Sequence, residues 1–275
     1  MTPNLAALRE KYATGNRSLP AAVEAELRAD ARPGARTLIE AIERKRRERR
    51  SEGQRLRKML RFEQALWSAG TLVVAGVDEA GMSPLAGPVC AAAVVLAPGT
   101  RLADVDDSKK LTPEARERLA EIIKQTAVAW CVGWAEVEEI DTINIYWAGL
   151  LAMRRAVEGL SATPQHLLID ARRIRELDIP QENIVKGDAR SLSIAAASIL
   201  AKTSRDAKMR ALDAMYPGYG LAQHKGYPVR DHVAALTKLG ASPIHRRSFN
   251  PVRVVLGLAP LHAKASGKTS DGAEV

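Results

Sequence analysis

Short apolar runs alternate with longer stretches of helical periodicity between residues 71 and 239, and this alternation constrains the fold more than any other feature of the sequence. The runs that predict strands cover residues 71–78, 89–96, 127–137, 166–170 and 183–188. The stretches that predict helices cover residues 113–124, 142–160, 189–216 and 231–239. Strands that alternate with helices favour a layered α/β domain in which at least some strands pair in parallel.

Acidic residues lie at the ends of three of these predicted strands. Asp78, Asp170 and Asp188 each end a run, and Glu79 directly follows Asp78. The carboxyl ends of strands in an α/β sheet form the crevice in which ligands bind, so we expect the four acids to converge. Carboxylates that lie close together repel one another unless cations bridge them, and Mg²⁺ and Mn²⁺ prefer oxygen ligands. The pattern therefore predicts a divalent-cation site.

Each acid also has a purely structural interpretation. Asp188 immediately precedes a predicted helix and could cap it, and Asp170 could be a turn residue before two arginines. Because side chains alternate along a strand, Glu79 is a weaker ligand candidate than Asp78 unless the strand ends at this pair. The prediction of a cation site rests on the shared placement of the acids rather than on any one of them.

The basic charge of the chain is concentrated near its amino terminus. Residues 1–70 contain 16 Lys and Arg against 9 Asp and Glu, whereas the other residues contain 25 against 23. Helix signals follow Ser18 and Pro33, and ten of the basic residues lie from Arg44 to Arg61. Clustered basic residues bind polyanions, although a solvated helical face would have the same composition. We expect residues 1–70 to form a basic helical extension of a domain that covers residues 71–262.

The composition excludes several other classes of protein. No apolar run approaches the roughly 18 residues that cross a bilayer, and the first residues lack the apolar stretch of a secretory signal. Two cysteines, Cys90 and Cys131, are too few for a disulfide framework or a cysteine-built zinc site. We expect a cytoplasmic, reduced protein in which residues 263–275 are disordered.

A set of short motifs follows one another between residues 71 and 255. They read GVDEAGMSPLAGPV (76–89), DSKKLT (107–112), INI (143–145), AMRRAVEGL (152–160), KGD (186–188), SIAAASILAK (193–202), RD (205–206), HKGY (224–227) and HRRSF (245–249). In this order the motifs closely resemble the signature of the ribonuclease HII family. The resemblance does not cover the first 70 residues or the last dozen.

The resemblance implies an α/β ribonuclease-H-like fold, in which helices flank a mixed sheet and a helical segment follows at the C-terminus. It implies an endoribonuclease that hydrolyses the RNA strand of RNA–DNA hybrids and cuts 5′ of single ribonucleotides embedded in duplex DNA. In that family two aspartate-bound divalent ions, Mn²⁺ or Mg²⁺, catalyse the hydrolysis, which leaves 3′-hydroxyl and 5′-phosphate ends. The catalytic, metal-binding acids of the family correspond here to Asp78, Glu79, Asp170 and Asp188. The tyrosine that stacks on the sugar at the RNA–DNA junction corresponds to Tyr227.

One loop departs from the family pattern. The family usually has Gly-Arg-Gly after the Asp-Glu pair, in a loop that senses the 2′-hydroxyl and the adjoining phosphate, whereas this chain has Gly81, Met82 and Ser83. Methionine has no guanidinium, and its sulfur is only a weak acceptor. We therefore expect backbone amides of the loop to contact the 2′-hydroxyl and the arginine–phosphate contact to be lost.

Further substrate contacts are expected on a loop and on the longest predicted helix. Lys109 and Lys110 lie in a polar loop and are candidate phosphate contacts, with an ordinary surface loop as the alternative. Ser191, Lys202 and Arg205 recur at helical spacing. They define a face that could meet the phosphates beside the scissile bond, or that could simply be solvated.

Two functions from different classes remain open. The favoured one is a metal-dependent endoribonuclease that acts as a monomer on RNA–DNA hybrids and ribonucleotide-containing DNA. The alternative is a nucleic-acid-binding protein of the same fold whose junction-specific catalysis is weakened or altered by the loop at residues 81–83. Residues 245–247 either contact the nucleic-acid backbone or anchor the C-terminal segment.

Overall fold

The computed structural model describes residues 4–15, 17–105, 108 and 111–261. Two candidate phosphate contacts, Lys109 and Lys110, lie outside the described residues, as does the predicted tail at residues 263–275. The chain divides into two compact units, one that ends at Lys58 and one that begins at Met59. The sequence analysis placed this boundary later, at residue 70.

The first unit is helical. Helix α1 (Leu5–Leu8) continues into a π-helical turn (Arg9–Thr14), and α2 (Ala21–Ala29) and α3 (Pro33–Met59) follow, with the last residue of α3 in the second unit. The predicted helix starts near Ser18 and Pro33 are thus confirmed to within a few residues. A small apolar core holds the unit together and consists of Tyr12, Leu19, Leu27, Ala35, Leu38 and Ile42.

The second unit is built on one mixed sheet. Among the described residues the strands are β1 (Val74–Ala80), β2 (Val89–Val95), β3 (Ala129–Ala135), β4 (His166–Asp170) and β5 (Gln181–Ile184). Their order across the sheet is β3-β2-β1-β4-β5. Strand β2 pairs antiparallel with β1 and β3, whereas β4 pairs parallel with β1 and β5. This arrangement confirms the predicted α/β class with a mixed sheet.

Helices surround this sheet. They are α4 (Arg61–Ser68), α5 (Pro113–Thr126), α6 (Val137–Glu158), α7 (Leu192–Met215), α8 (Leu221–His224), α9 (Arg230–Leu239) and α10 (Asn250–Val255). Thr112 caps α5 as its sequence predicts, because its hydroxyl accepts a hydrogen bond from the backbone N–H of Ala115. In the part of the chain that the structure describes, no helix has both the length and the apolar character needed to cross a membrane.

The two longest helices of this unit, α6 and α7, pack on opposite faces of the sheet. Alternate residues of β1 divide between them: Val77 joins the apolar cluster that contains Met153 of α6, and Val74 joins the cluster that contains Ile194 of α7. At Gly76 the backbone of α7 lies so close that a Cβ atom would overlap the carbonyl group of Ser193. A side chain at position 76 would therefore push the helix away from the sheet.

Two predicted boundaries are wrong in ways that affect the acids. Strand β1 continues to Ala80 because it pairs with β2 from Ala75 to Ala80, so Asp78 and Glu79 lie within the strand. Strand β5 ends at Ile184 because the chain turns at Lys186, whose φ is 56°. Asp188 consequently lies in a short 3₁₀ turn, Gly187–Ala189, rather than at the end of a strand.

Helix α6 also begins earlier than the sequence pattern predicts. It starts at Val137 with a capping box formed by Glu136 and Glu139, and it is interrupted at Asn144. Asn144 has φ 67° and ψ 164°, which is not a helical conformation. The predicted start at residue 142 is therefore close to the interruption, where the second part of the helix begins.

Candidate active site

Two of the predicted acids lie side by side on the α7 face of the sheet. The parallel register of β1 and β4 pairs Val77 with Ile169, so Asp78 and Asp170 follow at the next position of each strand. Side chains at equal register on neighbouring parallel strands point to the same face. The convergence predicted for these two acids is therefore seen at the carboxyl end of β4.

Asp78 is held in a desolvated position. Its side chain is only 6% exposed, and one carboxylate oxygen accepts the backbone N–H of Glu79 at 2.8 Å. The Ser198 hydroxyl on α7 also hydrogen-bonds to this carboxylate and in turn contacts the Ser108 hydroxyl at 2.9 Å. Burial, followed by the nearby charges of Glu79 and Asp170, raises the pKa of Asp78 well above its ordinary value.

Asp170 connects this pair to the turn that contains Asp188. The Asp170 carboxylate accepts the backbone N–H of Gly187 at 2.7 Å, and Asp188 is the next residue, with 6% of its surface exposed. The helix that follows is capped by Ser191, whose hydroxyl accepts the backbone N–H of Ile194. Capping of α7 is thus carried out by Ser191 and does not explain the presence of Asp188.

Glu79 points to the other side of the sheet, as the alternation of a strand requires. Its carboxylate lies 3.4 Å from the guanidinium of Arg172, which follows β4. Glu79 still contributes to the charge around Asp78, because it is one of the groups that raise the pKa of that residue. Of the four predicted acids, Glu79 is the one that the fold places on the α6 face.

The donor set fits a hard divalent cation by its chemistry. It consists of carboxylates at one end of the sheet, and their mutual repulsion is the kind that a bound cation relieves. No three His, Cys, Asp or Glu side chains are already grouped to hold a metal ion within the residues described. Two of the acids contact protein groups rather than one another. Asp170 accepts the backbone N–H of Gly187, and Glu79 contacts Arg172.

The loop of Gly81, Met82 and Ser83 directly follows β1. Gly81 has φ 96°, which favours glycine, and its carbonyl oxygen accepts a hydrogen bond from Arg246 at 2.7 Å. The same guanidinium donates to the carbonyl oxygens of Met82 and Gly87. The Met82 side chain is half-buried against the core, and Ser83 is exposed.

Two of the predicted phosphate contacts on α7 are buried, which corrects their expected role. Ser191 has no exposed surface, and its hydroxyl donates to Glu63. Arg205 also has no exposed surface and donates to the carbonyl oxygens of Ala86, Pro88 and Lys225. The face that the helical spacing defines is directed partly into the protein, so these two side chains do not reach a phosphate as they stand.

The remaining substrate candidates lie near one another. Tyr227 is half-buried, and Lys202 lies over its ring with the ammonium 5.6 Å from the ring centroid. Lys202 is partly exposed and forms an ion pair with Asp206 at 2.7 Å. Because Arg205 donates both to Lys225 and to Ala86, it ties the Tyr227 loop to the loop that follows β1.

Of the two alternatives for residues 245–247, the structure favours anchoring at Arg246, which is completely buried and donates to the carbonyl oxygens of Gly81 and Gly87. Burial lowers the pKa of Arg246 to about 9. Sequence reasoning missed two other charged residues. Arg172 and Glu63 were not singled out at all. A signal was present for Glu63, which is the one acid of α4 and lies among the apolar residues Phe62, Leu66 and Trp67.

Known proteins match both parts of the chain. The family model described as Ribonuclease HII matches residues 75–252, and the one described as Ribonuclease HII N-terminal domain matches residues 8–67. The second match covers most of the extension that the motifs had left unassigned. These two matches together span most of the described residues.

Individual relatives agree with these matches. The chain is 60% identical over 255 residues to ribonuclease HII of Myxococcus xanthus (strain DK1622), covering 92% of this chain and 87% of that protein. It is 57% identical over 261 residues to ribonuclease HII of Anaeromyxobacter sp. (strain Fw109-5), covering 95% and 83%. The crystal structure of ribonuclease H2 from Pyrococcus horikoshii OT3 has a TM-score of 0.58 at 28% identity, covering 66% of this chain and 96% of that one. The chain belongs to the ribonuclease HII family, metal-dependent endoribonucleases that act on RNA in RNA–DNA hybrids.

Proposed function

We propose that Asp78, Glu79, Asp170 and Asp188 hold two divalent cations, Mg²⁺ or Mn²⁺, at the cleavage site. Glu79 would reach the cations by leaving its contact with Arg172 at the end of β1. The observation that carries this proposal is the register of β1 and β4, which places Asp78 beside Asp170 at one end of the sheet. The Gly187 amide donates to Asp170, and Asp188 is the next residue of the chain. Oxygen donors of this kind suit hard cations, which also stabilise neighbouring carboxylate charges.

We infer that the site hydrolyses a phosphodiester bond and leaves a 3′-hydroxyl and a 5′-phosphate. Bound cations would activate the attacking water and stabilise the leaving oxygen. The contribution of the chain is to fix the ligands: Ser198 orients the Asp78 carboxylate, and the Gly187 amide orients that of Asp170. Both supports come from α7 or from the turn directly before it, so the position of this helix sets the geometry of the site.

We propose further that the protein cuts 5′ of single ribonucleotides in duplex DNA. The half-buried ring of Tyr227 is the surface on which the sugar at the junction would stack, and Lys202 lies over the same ring. The backbone amides at residues 81–83 would contact the 2′-hydroxyl, which distinguishes RNA from DNA. Arg246 and Arg205 would act indirectly, because they hold the carbonyl groups of this loop and of the Tyr227 loop in place.

A second candidate is supported by Met82. The thioether of Met82 packs against the core and offers no charge to a phosphate, so preference for the junction could be altered while hydrolysis is retained. In this case the protein would bind nucleic acid normally but would cut junctions weakly. The expected monomeric state and cytoplasmic location stay predictions.

Cleavage of two labelled substrates tests these functions together. One is a continuous RNA–DNA hybrid, and the other is a DNA duplex with one ribonucleotide; each is incubated with Mg²⁺, with Mn²⁺ or with EDTA. We expect scission of both substrates with either ion, and 3′-hydroxyl and 5′-phosphate ends on the products. Scission of the hybrid alone would favour the second candidate, and scission in EDTA would contradict the cation site.

Asp78→Asn is the matched variant for this assay. It keeps the shape of the side chain but removes a charged ligand, so we expect cleavage to fall by about a hundredfold or more while binding is retained. The circular dichroism spectrum and the urea midpoint should show that the variant is folded. Turnover close to that of the parent protein would contradict the role of this carboxylate.

A further inference from the structure

Two exposed aromatic rings and two arginines form a surface on the α6 side of the sheet. Tyr146 and Trp147 are 46% and 37% exposed, and their ring centroids lie 5.2 Å apart in an edge-to-face arrangement. Arg172 lies over Tyr146 at 5.3 Å, and Arg175 lies over Trp147 at 4.8 Å. We call these four residues the aromatic–arginine surface.

The backbone presents these rings to solvent at some cost. Asn144 interrupts α6 with φ 67°, and its side-chain oxygen accepts the backbone N–H groups of Tyr146 and Trp147. The arginines follow β4 in a loop in which Ala171 and Glu176 also have positive φ. Non-glycine residues in this conformation are uncommon and cluster at functional sites. The exposed rings of Tyr146 and Trp147 therefore lie beside three residues with strained backbone conformations.

Arg172 joins this surface to the predicted cleavage site. One of its amino groups, Nη2, lies 3.4 Å from Glu79, whereas Nη1 is buried and has no hydrogen-bond partner among the described residues. Both Nη1 and the sulfur of Met82 lie close to Gly149. Nη1 itself is closed to solvent, but 22% of the Arg172 side chain is exposed, so a phosphate oxygen can approach the guanidinium from that side.

Arg175 forms no ion pair among the described residues, so its charge is available to an anionic partner. Glu176, the acid next to Arg175 in the sequence, forms an ion pair with Arg154 at 2.7 Å, and Arg154 also pairs with Glu158. These contacts direct the nearby acids toward Arg154. A groove of about 640 Å³ lies along the same segment and is lined in part by Trp147, Arg154 and Arg175.

We propose that the aromatic–arginine surface binds the nucleic-acid strand where it leaves the cleavage site. The two guanidiniums would contact phosphates, and the two rings would stack on bases or sugars, a combination that binds strands with little sequence preference. This inference rests on the proposed function only for the position of the cleavage site. Binding at the surface can be measured without catalysis, so the two proposals fail in different experiments.

Fluorescence anisotropy of a labelled RNA–DNA hybrid in EDTA measures this binding in the full chain. We expect Trp147→Ala and Arg172→Gln each to raise the Kd by about five- to twentyfold, because loss of one stacked base or one charged phosphate contact has an effect of this size. Trp147→Phe keeps a ring and should retain most of the affinity. An equal Kd for Trp147→Ala and the parent protein would overturn the proposal.

The chain offers a matched control in Trp130 and Lys124. Trp130 lies on the edge strand β3, is 39% exposed, and has the Lys124 ammonium 5.6 Å from its ring centroid. We expect Trp130→Ala and Lys124→Gln to change the Kd by less than twofold. Weakening of equal size at both pairs would mean that any exposed aromatic–cation pair contributes, and would overturn the assignment of this surface.

Tryptophan fluorescence supplies a measurement that does not depend on the folding of an alanine variant. Stacking on a base should quench Trp147, so hybrid binding to the parent protein should lower the emission, and Trp147→Phe should remove most of that change. Trp130→Phe should leave the change intact. Quenching that persists in Trp147→Phe would contradict stacking at this residue. If hybrid binding quenches Trp147 but the parent protein cleaves neither substrate, this inference stands and the cleavage proposal is refuted.

Discussion

At the scale of single residues, Met82 is the position where this chain departs most clearly from the pattern of its family. The loop around it is fixed by Arg246, which donates to the carbonyl oxygens of Gly81 and Met82. These hydrogen bonds hold the backbone of the loop, and the packing of the Met82 side chain against the core adds to them. A change of this side chain should alter recognition of the substrate more than it alters the shape of the loop.

Met82→Arg should sharpen cleavage at the junction. A guanidinium at this position could bind the adjoining phosphate, and a charge-assisted contact of this kind changes a rate or an affinity by roughly tenfold. The measurement is the ratio of cleavage at an embedded ribonucleotide to cleavage of a continuous hybrid, with Met82→Leu as the uncharged control. Arg172 and Met82 both lie close to Gly149 of α6. An unchanged ratio would indicate that Arg172 already supplies the contact with the phosphate.

Residue positions could be predicted from the sequence only where the element fixed the direction of the side chain. Asp78 and Asp170 end apolar runs, so their placement at one end of a sheet follows from the topology of α/β domains. Helical spacing groups Lys202 with Arg205 but does not say which part of that face is buried. The carbonyl groups that surround Arg205 come from segments distant in the sequence, and no local pattern reveals them.

At the scale of elements, α4 is joined to α7 through one buried carboxylate. Glu63 has no exposed surface and accepts hydrogen bonds from the Ser191 hydroxyl at 2.6 Å and from the backbone N–H and hydroxyl of Ser193. The negative charge lies at the N-terminus of α7, where the helix dipole favours it. Because α7 carries Ser198, this contact also supports the orientation of Asp78.

Glu63→Ala should lower the free energy of unfolding by about 2–4 kcal/mol, because it leaves buried donors without an acceptor. Urea unfolding monitored by circular dichroism measures this change. Glu117→Ala is the matched control, since Glu117 forms an exposed ion pair with Arg210 and its removal should cost less than about 1 kcal/mol. Equal losses in the two variants would show that the buried carboxylate contributes no more than a surface charge.

Helix α3 carries a row of exposed basic side chains along one face. Arg36, Arg47 and Arg50 are exposed and lie on one face, opposite the buried Leu38 and Ile42; Glu40 and Glu43 lie on the same face, and Arg47 is 3.9 Å from Glu43. Exposed basic rows of this kind bind phosphate backbones and release counterions. Polyanion binding by the extension, against a merely solvated face, is therefore a prediction that replacement of these arginines tests.

Replacement of these three arginines by glutamine should weaken hybrid binding and reduce its dependence on salt. Each lost phosphate contact lowers the slope of log Kd against log salt concentration by about 0.9. The control replaces three exposed basic residues of the second unit, Arg118, Lys208 and Lys238, and so changes the net charge equally. Equal slopes for the two triple variants would indicate that net charge, rather than the row on α3, determines binding.

The bounds of elements with strong local sequence signals could be predicted from the sequence. The bounds that depend on pairing between strands could not. Helix α5 has both a capping threonine and a proline in its first turn, and β4 matches its predicted bounds. The end of β1 depends on its antiparallel partner β2, which the sequence of β1 does not reveal. Asn144 interrupts α6 without a glycine or proline, so the break was not predicted.

At the scale of the whole molecule, a chain of histidines connects the C-terminal segment to the rest of the catalytic unit. The backbone N–H of Ser242 donates to Nδ1 of His245, so Nε2 of His245 carries the proton that it shares with Nε2 of His232 at 3.2 Å. Nδ1 of His232 then donates to the carbonyl oxygen of Tyr227 at 2.9 Å. This pattern favours neutral rings: a second proton on Nε2 of His232 would face the N–H of His245, and one on Nδ1 of His245 would face the backbone N–H of Ser242, with the Ser242 hydroxyl 2.8 Å away as its one nearby acceptor among the described residues.

Acid should therefore destabilise the protein before most carboxylates titrate. Burial, followed by the proximity of His232, lowers the pKa of His245 to about 4, whereas an unfolded histidine titrates near 6.5. Between these values the unfolded chain binds more protons than the folded one. Stability is thus complete above pH 6.5 and falls as the pH drops toward 4, by up to about 1.4 kcal/mol per pH unit for one proton.

Urea midpoints measured from pH 8 to pH 4.5 test this dependence, with His245→Gln as the variant that cannot take up the proton. The variant should be less stable than the parent protein at pH 8, because it loses packing against Tyr219 and the hydrogen bond to His232. On acidification its stability should fall less than that of the parent protein. Parallel curves for the two proteins would assign the acid sensitivity to other groups.

Substrate binding should respond to the same acidification. Because His232 holds the carbonyl oxygen of Tyr227, binding of a ribonucleotide-containing duplex to the parent protein should weaken at a pH at which the protein is still folded.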